Sequence, residues 1–157
     1  MKRKTALFLG IAALVIILDQ LTKWLVAANL AMHQSITVIK GFFDIVHVRN
    51  TGVAFGLLSS SDIPYRTIFF LFISLVAMAV IVMFLNKLRA DQTGWVVGLG
   101  LVFGGAWGNL IDRVRTGGVI DFIDVYVSHY HWPAFNIADS AVTIGALLLV
   151  LQIVRQK

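Results

Sequence analysis

The sequence contains no cysteine and no glutamate, and only 13% of its 157 residues are charged. Without cysteine there is no disulfide framework, no thiol nucleophile and no thiolate metal site, and cysteine usage leaves the redox compartment undetermined. All eight acidic side chains are therefore aspartates. The short motifs of several other chemistries are missing as well. No serine sits in G-x-S-x-G, Ser140 has no obvious His–Asp pair, H-E-x-x-H does not occur, and the glycine-rich segments lack a P-loop lysine. His129 and His131 alternate beside Trp132, more like an interfacial loop than a zinc site. Metal, nucleotide and cofactor chemistry are not expected.

What is present is apolar surface. With 59% hydrophobic residues and a mean hydropathy of +0.86, the chain reads as an all-α integral membrane protein forming a single domain over 1–157. Four stretches can cross a hydrocarbon core of roughly 30 Å: about 5–28, 67–85, 95–111 and 136–154. The connection at 86–93 is short and polar, so the second and third spans form an antiparallel helical hairpin. The net charge of +5 does not indicate nucleic acid, because the basic residues form no stripe interleaved with aromatics. They cluster beside the spans instead. Lys2, Arg3 and Lys4, then Lys87 and Arg89, then Arg155 and Lys157 fall on one side, which the positive-inside rule makes cytoplasmic. Both termini are then cytoplasmic, and the loops 29–65 and 112–134 face outward, against a weaker opposing set of Lys40, Arg49, Arg66, Arg113 and Arg115. The basic N-terminus followed by an apolar run has the form of a signal peptide, but Asp19 and Lys23 interrupt it and no A-x-A site follows promptly, so a retained anchor is expected.

The first outer loop carries a period-two pattern. Ile36 and Val38, then Val46 and Val48, alternate with Thr37, His47 and Arg49 around a break at Lys40–Gly41, which predicts a small strand pair on the membrane surface. The apolar stretch 52–58 that follows is too short to span and reads as an interfacial or re-entrant segment.

Against this background the polar residues stand out, because a charged side chain at the centre of a spanning helix costs about 2.5–3.5 kcal/mol on insertion scales. Asp121 and Asp139 lie on the outer side, where two converging carboxylates could share a proton and divide general-acid and general-base work. Asp124 rivals Asp121: the two share a face if the segment is helical and not if it is extended. Asp139 also fits the ordinary role of an acid in a helix's first turn, with Asn136 three residues before it. Asp19 and Lys23 are four apart with the acid first, a favourable ion pair, and are expected to be structural. Asn50, in Arg49-Asn50-Thr51-Gly52, suits a turn or a hydrogen bond to substrate equally well. Gly104 and Gly108 form G-x-x-x-G and point to close helix packing. Asn109, Asp112 and Arg113 gather at the outer end of the same span, Arg113 being also able to snorkel to headgroups. An ion- or proton-coupled transporter would distribute such groups through the bilayer depth. Here most crowd one edge. A purely structural assembly protein would leave the cluster without a role.

Five ordered blocks carry a resemblance along nearly the full length. They are Asp19-Gln20-x-x-Lys23, Arg49-Asn50-Thr51-Gly52-x-Ala54-Phe55, Gly104-Gly105-Ala106-x-Gly108-Asn109-x-x-Asp112-Arg113, Val119-Ile120-Asp121-Phe122 and Phe135-Asn136-Ile137-Ala138-Asp139-Ser140. Together they resemble the lipoprotein signal peptidases (signal peptidase II). The resemblance implies that Asp121 and Asp139 are a catalytic aspartyl dyad. It also implies that Asp19, Lys23, Asn50, Gly52, Gly105, Gly108, Asn109, Asp112, Arg113 and Asn136 are structural or substrate-contacting. The implied substrate is a bacterial prolipoprotein bearing diacylglyceryl on its lipobox cysteine, cut just before that cysteine at the outer face of the inner membrane. Membrane lipid is an expected partner, globomycin an expected inhibitor, and a monomer the expected state.

Overall fold

The computed structural model describes residues 2–52 and 63–155, with 63–67 described by backbone alone. The stretch 52–58, expected to be interfacial or re-entrant, lies outside the described residues beyond Gly52. The element order is α1 (Lys2–Asn29), β1 (Ser35–Ile39), β2 (Phe43–Asn50), α2 (Ile63–Lys87), α3 (Thr93–Thr116), β3 (Val119–Val127), β4 (Tyr130–His131) and α4 (Ile137–Val154). Each helix is long and apolar enough to cross a membrane. Their outward surfaces carry Leu14, Ile17, Phe72, Val80, Leu147 and Val150, all more than half exposed, the surface that lipid rather than water would cover.

α3 is the central helix. Half of its most apolar window is buried, against 22%, 17% and 17% for α1, α2 and α4. Glycine makes this possible, most tightly at two positions. A Cβ at Gly105 would run into the Ala138 carbonyl of α4, and one at Gly108 would meet the Asp19 carboxylate of α1, so only hydrogen lets the three backbones approach this closely. At the other end Phe8, Ile81, Leu85, Leu88, Trp95, Val96 and Leu99 form the apolar core. Lys4 is buried beside it, its ammonium donating to the carbonyls of Leu85 (2.9 Å), Asn86 (3.3 Å) and Leu88 at the end of α2. That contact holds the first turn of α1 in helix, which therefore starts three residues before the expected boundary.

The third helix also runs past its expected end at 111. Hydropathy reads Asp112, Arg113 and Arg115 as the onset of a loop, but Asp112 is buried and paired, and the helix ends only where Gly117 adopts φ 73° and donates to the Arg113 carbonyl. The strand pair in the first loop forms as the alternation predicts, turning at Gly41 with φ 81°. It belongs to a larger antiparallel sheet of order β1-β2-β3-β4. β3, dense in β-branched residues, pairs with β2 in the register Val48–Asp121 and Asn50–Val119. After β4 the chain returns to β3, where Ile123 and Phe135 exchange backbone hydrogen bonds of 2.8 and 3.1 Å. This return delivers Asn136, the N-cap of α4, beside Asp121.

Candidate active site

Two elements present the two aspartates. Asp121 lies on β3, 3% exposed, and Asp139 lies in the first turn of α4. Because β3 is extended, Asp121 and Asp124 point to opposite faces. Asp124 faces away and accepts from His131 Nδ1 at 2.9 Å, with the Tyr126 ring stacked on the imidazole. Asp121, not Asp124, is the one brought to Asp139.

Two asparagines bridge the pair. Asn136 Nδ2 donates to Asp121 Oδ1 at 2.8 Å, and shares its hydrogens with the Ile120 carbonyl (3.2 Å) and Asn109 Oδ1 (3.3 Å). Asn109 Nδ2 in turn donates to Asp139 Oδ1 at 2.8 Å. Asn136 also caps α4 by a reciprocal pair of bonds: its Oδ1 accepts from the Asp139 amide at 2.9 Å, and Asp139 Oδ2 accepts from the Asn136 amide at 3.3 Å. Asp139 is thus both a first-turn helix acid and a member of the cluster. The two readings are one geometry.

Asn50 makes the turn its sequence context allowed and also reaches Asp121. Its Oδ1 accepts from the Gly52 amide at 3.2 Å, closing a turn, while its Nδ2 donates to Asp121 Oδ2 at 3.1 Å. In the β2–β3 register Asp121 is the diagonal neighbour of Asn50, two residues beyond its direct partner Val119. Burial pushes the Asp121 carboxyl up to about 6, and the nearby Asp139 charge acts in the same direction. The Asn50 and Asn136 hydrogen bonds and the Lys23 charge pull against it and lose.

Behind the aspartates lies a buried ion cluster. Lys23 Nζ is 2.8 Å from Asp19 Oδ2, 2.9 Å from Asp112 Oδ2 and 3.0 Å from Asn109 Oδ1. Asp19 also accepts from the Ala138 amide at 2.9 Å, near the start of α4. Asp112 accepts from the Ile120 amide at 3.2 Å, tying α3 to β3. Gln20, quoted in the sequence block without a role, donates to Asp112 Oδ1 at 2.9 Å and to the Gly108 carbonyl at 3.1 Å. Asp112 and Arg113 do not pair, as expected of sequence neighbours on a helix. The Arg113 guanidinium lies 4.8 Å over the Phe70 ring, within electrostatic reach of Asp139 and Asp121. Among the described residues no buried side-chain nitrogen or oxygen lacks a hydrogen-bond partner.

Beside Asp139 opens a cavity of about 400 Å³, lined by Trp132, Phe135, Ser140, Thr143 and Ile144. Phe135 and Ser140 belong to the fifth family block, whereas Trp132, Thr143 and Ile144 join them only through the return of the chain from β4 to β3. Among the described residues no group of three or more His or Asp side chains is placed to hold a metal ion.

Residues 11–155 match the family model described as signal peptidase (SPase) II. The chain belongs to the signal peptidase II family. It is 48% identical over 157 residues to the lipoprotein signal peptidase of Syntrophus aciditrophicus, covering 100% of this chain and 98% of that one. With the lipoprotein signal peptidase of Geobacter metallireducens the identity is 50%, covering 100% and 96%. A solved bacterial membrane enzyme, determined by the in meso method at 1.9 Å, superimposes with a TM-score of 0.84 at 37% identity, covering 96% of this chain and 94% of the other. Family membership makes this a protease and a multi-pass bacterial membrane protein. The residues of all five family blocks that the structure describes meet at one end of its helix bundle.

Proposed function

We propose that the chain is an aspartyl endopeptidase that removes the signal peptide from diacylglyceryl-modified prolipoproteins, cutting just before the lipidated cysteine. The observation that carries this reading is the asparagine bridge between Asp121 and Asp139. Two carboxylates are held in one buried polar network, and a proton on one and not the other gives an acid and a base. Asp121, pushed up to about 6 by burial, holds the proton and gives it to the scissile carbonyl oxygen. Both aspartates accept N–H groups on both oxygens, and Asp139, the less buried of the two, acts as acceptor, taking a proton from the attacking water. Water attacks directly and no acyl-enzyme forms. Arg113 and Gly52 border the place where the peptide would lie, and the cavity against Trp132 and Phe135 offers apolar surface next to Asp139. A globomycin-type inhibitor would compete for the same place, and the enzyme acts as a monomer in the lipid of the inner membrane.

The bundle supports an outward-facing site. α1 runs from Lys4, packed on the end of α2, to Lys23 at the aspartates, so the basic flanks and the site lie at opposite ends. By the positive-inside rule both termini are cytoplasmic and the site faces out. The absence of cysteine makes a labelling test free of background. Lys40→Cys should react with an impermeant maleimide on intact cells, and Ala90→Cys only after permeabilisation; the reverse pattern overturns the orientation. The activity is tested with purified enzyme and a prolipoprotein substrate by product mass. The expected product begins at the lipidated cysteine, and a substrate lacking diacylglyceryl is left uncut. Cleavage at another bond, or equal cleavage of the unmodified substrate, contradicts the reading.

A further inference from the structure

The Asp19–Lys23 pair looks, from sequence, like an internal ion pair that locks the bundle. The structure gives Lys23 a third partner that such a lock does not need. An ammonium has three hydrogens. Two meet the carboxylates of Asp19 and Asp112 at 2.8 and 2.9 Å, which already compensates the charge. The third meets the neutral Asn109 amide oxygen at 3.0 Å, and the lysine is only 2% exposed, so no water takes that place.

The consequence lies in the direction of the Asn109 amide. Its two ends differ only in which atoms accept and which donate, and an ammonium can only donate. With Lys23 present the oxygen must face the lysine, which turns the Nδ2 hydrogens to Asp139 Oδ1, 2.8 Å away. The oxygen also accepts from Asn136 at 3.3 Å, the bridge to Asp121. Without Lys23 only the 3.3 Å bond from Asn136, whose hydrogens are shared with two other acceptors, opposes the amide's turning over. The turned amide would offer an oxygen to Asp139, an arrangement that suits a protonated acid and not a base. Resting on the dyad reading above, we propose that Lys23 is a positioning residue for hydrolysis, holding Asn109 as a donor so that Asp139 stays the proton acceptor. It touches neither aspartate of the dyad and acts through the amide.

The test separates this role from a structural one by keeping the cluster's charge constant. Replacing Lys23 by Met alone strands two carboxylates, but Asp19→Asn/Lys23→Met leaves the net charge of the cluster as it is in the wild type. The reference is the wild type, of equal cluster charge, with Asp19→Asn alone as the control for the lost acid, and the measurements are detergent thermal midpoint, kcat and KM on lipid-modified prolipoprotein. The expected result is a midpoint close to the reference, kcat lower by roughly 10- to 100-fold as for other supporting-partner losses, and KM within about threefold. Adding Asn109→Ala completes a cycle in which, if Lys23 acts through Asn109, the lysine substitution causes no further loss once the amide is gone. A folded double variant with kcat within about threefold of its reference, or losses at 23 and 109 that multiply, overturns the proposal. Should that pair not fold, Asp112→Asn/Lys23→Met against the wild type, with Asp112→Asn as the control, carries the same comparison at the same charge. Asp139→Asn, run alongside, tests the dyad separately: wild-type turnover there removes the dyad whatever the lysine series shows.

Discussion

Two lysines are buried in α1, at positions 4 and 23, about 28 Å apart along the axis at 1.5 Å per residue. They have the same side chain, the same helix and nearly the same burial, and their partners make them different. Lys4 donates to three backbone carbonyls at the end of α2, where the helix dipole is negative. Lys23 faces two carboxylates and an amide, and the amide leads on to Asp139. The end of the bundle at Lys4 uses charge to finish a helix. On the proposal above, the end at Lys23 uses it to order a reacting group. A buried charge in a membrane bundle is therefore read from what its hydrogens point at, not from its burial.

The comparison predicts unequal costs. Lys23→Met leaves Asp19 and Asp112 buried without a counter-charge and should destabilise by about 3–5 kcal/mol, read by thermal unfolding in detergent. A midpoint equal to wild type would mean that the cluster is not held by its charge. Lys4→Met removes charge-assisted bonds to carbonyls and should cost about 1–3 kcal/mol, with kcat unchanged at temperatures where the variant is folded. A fall in kcat there would erase the distinction between the two ends.

A smaller effect sharpens the end that holds the aspartates. If cleavage needs the proton on Asp121, kcat/KM falls as pH rises through about 6. The groups bearing on Asp121 are Asp139, which raises the limb, and Lys23 with the Asn50 and Asn136 donors, which lower it; Arg113 also stands within reach. Asn50→Ala removes a donor that favours the ionised form, so the limb should move to higher pH, by a fraction of a unit. A limb that stays put or moves down would take Asn50 out of the site or the proton off Asp121.

Much of this was legible in the sequence, and unevenly so. Hydropathy places four spans because lipid imposes a strong and local rule on every residue of a helix. The same rule ends the third span too early, since Asp112 looks like a loop residue until Lys23, 89 positions away, is found beside it. Alternation shows β1 and β2 but hides β3, where Asp121 and Asp124 break the apolar run that the strand otherwise keeps. The choice between those two aspartates turned on whether the segment is extended, which local physics left open. The family blocks point to Asp121 on the resemblance alone. The pairing of Asp19 with Lys23 followed from spacing alone, whereas their link to Asp139 runs through Asn109 and had no sequence signal.

The central claim is that Asp121 and Asp139, bridged by asparagine, do the chemistry, and one assay tests it most directly. Asp121→Asn, Asp139→Asn and Asp124→Asn are purified, checked for the wild-type helical spectrum, and assayed on diacylglyceryl prolipoprotein. The first two should lose about 10²- to 10⁴-fold or more in turnover, since the amide keeps the shape but cannot exchange the proton. Asp124, on the far face of β3 with His131, should be dispensable. Near-wild-type turnover in Asp121→Asn or Asp139→Asn, or loss in Asp124→Asn with Asp121→Asn active, would contradict the account.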